Sequence, residues 1–163
     1  MNELLHNLVE ALREELKQYG EMLALLDHQH EFIVHRKEHD FYQSLASLDT
    51  QAEAIRAARQ EREQRRRHLA RTLRLDDGIC FKALTPYLPA EYRPLLKALV
   101  LENHDLLLRV QQRARQNHVL LDRSLERMQR LINSLRAEVG FDGQMAPTSR
   151  VSAKSTSQHG SPD

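Results

Sequence analysis

The sequence predicts an all-α fold: an elongated antiparallel hairpin, or coiled coil, of two long helices with a short connecting helix and a disordered C-terminal tail. Three observations predict it. Apolar residues recur at steps of three and four along most of the 163 residues, which lines them up on one helix face. The composition has 5% aromatics, no Trp and 5 Gly, and is rich in Leu, Arg, Glu, Gln and Ala, which favours helix over sheet. Residues 2–75 hold no Pro and a single Gly, Gly20. The chain therefore reads as one helical domain over residues 1–140 and a tail over residues 141–163.

The first long helix is expected over about residues 2–75, on the order of 110 Å at 1.5 Å per residue. Its seam runs Leu5, Leu8, Leu12, Leu16, Tyr19, Leu23, Leu26, His30, Ile33, Lys37, Phe41, Leu45, Leu48, Ala52 and Ile55. A bend is expected near Gly20 or near His39 and Asp40. Residues 56–74 are mostly charged, with eight Arg set against Glu61 and Glu63. That block could bind phosphates. The plainer reading is a solvated helix face, because no aromatic side chain interleaves with the Arg residues to stack on bases.

Asp76, Asp77 and Gly78 break the helix, with Gly78 suited to a left-handed turn. Ile79, Phe81, Leu84 and Leu88 form a short connecting helix over about residues 79–88. Pro86, Pro89 and Pro94 crowd this span, and Pro fits only the first turn of a following helix. The second long helix is expected over about residues 90–139, roughly 75 Å long. Its seam is Tyr92, Leu95, Leu99, Asn103, Leu106, Val110, Arg113, Asn117, Leu121, Ser124, Met128, Leu131 and Leu135. Near its end Leu121, Leu125, Met128, Ile132, Leu135 and Val139 recur at steps of four and three, and Leu120 and Leu131 widen the stripe. Beyond Gly140 the residues are small and polar without periodicity, the composition of a disordered tail.

A short connection makes the two helices antiparallel, which places Tyr92 near Leu73 and Val139 near Leu26. The first helix is then the longer one, and its apolar opening, Leu5 to Leu23, overhangs. Overhang and terminal stripe together would make a docking groove for an amphipathic helix, or a surface for self-association as a weak dimer rather than a monomer. Asn117 lies at a seam position, where it either is buried and fixes register or faces water at the helix edge.

Chemistry finds little footing. The nine His include His35 and His39 on one face, but no Cys or Glu completes a metal site beside them. Cys80 has no acid or base partner fixed by sequence and allows no internal disulfide. Glu14 with Glu15 reads as a helix face and Asp76 with Asp77 as a helix end, not as acid/base pairs. No phosphate loop is present. No enzyme, cofactor or metal is expected. Net charge is +1, no basic apolar leader opens the chain, and no run is long enough to span a membrane, so a cytoplasmic protein is expected.

Several residues carry a resemblance. Glu15, Leu16, Tyr19, Leu23 and Leu26, then the Gln/Arg/Glu-rich stretch from Gln51 to Arg74, then Asn117, Leu120 and Leu121, and finally Phe141, Asp142 and Gly143 resemble, in that order, the FlgN-type flagellar export chaperones. Phe141 stands where that family more often has Tyr. The resemblance implies a cytosolic helical chaperone whose partners are hook-associated proteins of the hook–filament junction, with the export apparatus as a further partner. It implies client contacts on Asn117, Leu120, Leu121, Leu125, Met128, Leu131, Ile132, Leu135, Val139 and Phe141, with Leu8, Leu12 and Leu16 as sharers. The alternative is a nucleic-acid-binding or scaffold coiled coil that uses the Arg-rich segment 56–74.

Overall fold

Every element among the described residues is helical. A computed structural model gives the backbone of residues 1–142 and the side chains of residues 1–137. Helix α1 is Asn2–Val34, α2 is Glu38–Thr72, and α4 is Arg93–Asp142. Between the last two lie the four-residue α3, Phe81–Leu84, and a 3-10 turn, Thr85–Tyr87. The short connecting helix is thus present, though split. Helix α4 starts three residues later than expected, with Pro94 in its first turn, and runs on through Gly140. By packing, the chain forms two units, Met1–Ser124 and Leu125–Asp163.

The expected single helix over residues 2–75 is two helices. Between Val34 and Phe41 the sequence has six polar residues, so the seam offers nothing to bury there. Helix α1 closes with Arg36 in the left-handed region, φ 55°, while the Lys37 amide reaches back to the Phe32 carbonyl at 2.9 Å. Helix α2 ends the same way: Arg74 has φ 56° and the Leu75 amide donates to Ala70 at 2.9 Å. The left-handed residue expected at Gly78 is therefore Arg74. Helix α1 passes through Gly20 unbroken.

The corner at residues 35–37 folds α2 back along α1, and the two run antiparallel. Gln51 on α2 donates to Gln18 on α1 at 2.7 Å, and Arg62 meets Glu15. Helix α4 runs parallel to α1. Asn103 Nδ2 donates to the Leu12 carbonyl at 3.0 Å, and Asn117 Nδ2 to the Leu26 carbonyl at 2.8 Å, both across a separation of 91 residues. The residue level with Leu26 is thus Asn117, not Val139. At this offset Ile33 is level with Ser124, the last residue of the first unit.

The core of the first unit joins Leu5, Leu8, Val9 and Leu12 of α1 to Leu69 of α2, Leu84 and Leu88 of the connector, and Leu96 and Leu99 of α4. Tyr92 and Leu73 both pack on this cluster. At the start of α4, Leu96 faces inward at 2% exposure, while the expected seam residue Leu95 is exposed. The expected overhang of Leu5 to Leu23 is absent, because α2, the connector and α4 cover it. Arg66, buried on α2, fastens the connector by donating to the carbonyls of Ile79 and Asp77. Arg93 does the same from α4, to Leu88 at 2.8 Å and Pro86 at 2.9 Å.

Candidate partner-binding site

The terminal part of α4 carries a row of exposed apolar side chains. In the second unit Leu125, Met128, Leu131, Ile132 and Leu135 are all exposed, from 37% for Ile132 to 61% for Leu125. At about 100° per residue they fall within an arc of about 120°. The helix keeps its backbone hydrogen bonds internally, so this stretch has polar satisfaction without apolar cover. The neighbouring Arg130 is held to Glu126 at 3.5 Å, and Gln129 to Asn133 at 3.0 Å, so the polar residues tie to one another along the helix.

The other expected site residues fall elsewhere. Leu120 and Leu121 are half-buried in the first unit. Leu8 and Leu12 are buried at 0% and 1%, and Leu16 packs partly buried on the same core. These three offer no open surface, because the overhang that would have exposed them is filled. The side chains of Val139 and Phe141 lie outside the described residues, as does the tail from residue 143. Asn117 is buried: its amide donates to Leu26 and to Gln29 Oε1 at 3.1 Å, and its Oδ1 lies 3.0 Å from His30 Nδ1. It is the register-fixing residue of the two alternatives, and it has no polar group left to turn outward in a contact.

In the first unit, the buried Glu15 and the half-buried Glu63 anchor two sets of charged contacts. Glu15, 1% exposed, accepts from Tyr19 Oη at 2.9 Å and from Arg62 Nη1, with Arg59 at 3.9 Å. Burial, then the charge of Glu15, pushes the Tyr19 hydroxyl up to about 12. Paired hydrogen bonds from Arg66 hold Glu63 down at about 2. Neither set of contacts was read as such from sequence. The signal was the spacing: Glu15 sits between Leu12 and Tyr19 at steps of three and four, a seam position.

The Arg-rich stretch is answered by acids from three places. Arg65 pairs with Glu61, Arg66 and Arg67 with Glu63, Arg56 with Glu53, Arg59 and Arg62 with Glu15 of α1, and Arg71 with Asp77 of the connector. A face so matched holds less field for a phosphate backbone than the count of Arg suggests. Among the described residues no group of three or more His, Cys, Asp or Glu is placed to hold a metal ion. No helix among them is long and apolar enough to cross a membrane. Cys80 is an exposed thiol.

Packed helices tied by buried polar pairs, with exposed apolar side chains along α4, define an all-helical protein. The chain belongs to the FlgN family: the family model described as FlgN protein matches residues 1–140. Curated proteins and solved structures yield no significant match. The family is one of flagellar export chaperones, not of enzymes, and its partners are flagellar proteins.

Proposed function

We propose that the chain holds hook-associated proteins of the hook–filament junction in the cytoplasm before export, by seating a client helix on the α4 stripe. The observation that carries this reading is the exposure of Leu125, Met128, Leu131, Ile132 and Leu135 on one face. An amphipathic client helix would lay its apolar side on that face. Each side chain is about half exposed, so covering all five contributes roughly 4–7 kcal/mol before association costs. That magnitude suits a hold that an export gate can undo. A client segment that also drives filament-junction assembly would be kept from doing so while covered. By sequence spacing the stripe continues to Val139.

The test is a pull-down of junction proteins by full-length chain carrying Leu125→Asp and Met128→Glu. Both positions are exposed, so the variant keeps its helical circular dichroism and loses the client. Undiminished capture by the folded variant would place the client elsewhere. Sedimentation of the chain alone addresses the other occupant of the stripe: a dimer that the same two substitutions dissolve would mean that a second copy covers it.

A further inference from the structure

A different face of α4 carries a second recess. Leu108, Gln112, Arg115 and Val119 follow one another at steps of four, three and four. With Arg113, His30 and their neighbours they line a shallow groove of about 840 Å³ in the first unit. Its apolar floor is open, with Leu108 at 47% and Val119 at 46% exposure. Val119 lies two residues from the seam positions Asn117 and Leu121, roughly 160–200° around the helix from them. The row from Leu108 to Val119 thus faces away from Asn117, and the groove meets α1 at His30.

Its chemistry is one-sided. No carboxylate lines it, and its charged side chains are Arg113 and Arg115. Arg113 is held at 2.6 Å by Asp27 of α1, while Arg115, among the described residues, has a long contact, 3.3 Å, from its Nε to the carbonyl of Gln111 one turn back. Gln112 and Gln116 add side-chain amides. No Phe, Tyr or Trp lines the recess, and the His30 ring is engaged by Asn117, so it offers bases no broad platform for stacking. We propose that this groove is a second docking site, occupied by a helix of another protein whose aliphatic edge is bordered by carboxylates. The aliphatic floor gives such a helix area to bury, the Arg rim receives its acids, and a basic helix of the same shape is turned away. The proposal does not depend on what occupies the stripe.

The probe is a fluorescein-labelled helical peptide with Leu at steps of three and four and Glu beside each Leu, together with its twin carrying Lys for Glu. Anisotropy is measured on the full-length Leu125→Asp, Met128→Glu chain, which removes the stripe as a competing seat. The Glu peptide is expected to bind, about tenfold or more tighter than the Lys twin, and more weakly as salt rises. Adding Arg115→Glu and Val119→Asp, both at exposed positions, should lower its affinity about tenfold or more with the melting curve retained. Absence of binding, equal binding of the two peptides, or binding untouched by the groove substitutions would overturn the proposal.

Discussion

Arg62 of α2 places Nη1 3.1 Å from both carboxylate oxygens of Glu15 of α1. Glu15 is almost fully buried, and Tyr19 spends its hydroxyl on the same carboxylate. Removing one side of such a pair strands the other in a low-dielectric contact. Glu15→Ala should therefore cost about 3 kcal/mol in urea unfolding. Glu14→Ala, one residue away and exposed, should stay within about 0.5 kcal/mol. Equal effects would mean that the α1–α2 contact does not rest on this pair.

Asn117→Ala removes the amide that binds Leu26 and Gln29 and the oxygen beside His30. The partners stay buried or half-buried, so the loss should be about 2 kcal/mol. Hydrogen exchange should localise it, with amides of α1 near Leu26 losing protection before those near Leu8. Asn133→Ala, on the exposed part of α4, is the control that should leave the melting temperature in place.

Two backbone substitutions should stabilise the chain, for opposite reasons. A Cβ on Gly20 would meet only Leu106 Cδ2, at an ordinary 3.9 Å, so Gly20→Ala gains helix propensity without a clash. Arg74, at φ 56°, sits where glycine is at ease, so Arg74→Gly relieves a conformation that costs an L-residue energy. Each should add about 0.5–1 kcal/mol, or about 1–4 °C in melting temperature.

Acid should weaken the α2–connector contact. Arg66 holds the Glu63 carboxyl at about 2 against an ordinary 4.5, so the folded chain binds fewer protons there than the unfolded one. The resulting stabilisation is full above about pH 4.5 and is lost as pH falls towards 2. Asp77, lowered by its hydrogen bond from Arg71, acts in the same direction. Thermal melts between about pH 5 and pH 3 should therefore fall less for Glu63→Gln than for the parent chain. Parallel curves would show that this pair does not govern the acid response.

Core and stripe should separate cleanly. Leu8→Ala empties a fully buried site and should cost about 3 kcal/mol. Leu125→Ala, at 61% exposure, should stay within about 0.5 kcal/mol while weakening client capture.

The helical class, the connector and the terminal stripe were legible because each rests on local periodicity. The stripe of Leu125 to Leu135 needed only spacing to be seen, and its exposure agrees with surplus apolar surface. What sequence missed was the direction of packing. Lys37 was counted into a continuous seam, although the polar gap from His35 to Asp40 leaves the helix nothing to hold there. Once that gap becomes a corner, α1 and α4 lie side by side in the same sense, Leu8 and Leu12 turn from overhang into core, and the surplus moves to the other end of the chain. Asn103 and Asn117 could not reveal this register alone, since each donates to a main-chain carbonyl of α1, which carries no sequence signature.

The parallel pairing of α1 with α4 also bears on how the chain is made. Leu5 and Leu8 are synthesised long before Leu96 and Leu99, which complete the cluster they join. Until those arrive, the newborn segment shows its apolar face to water, and closure must span a long loop. Translation speed and early helper proteins should therefore govern its yield more than they would for a hairpin closed by neighbours.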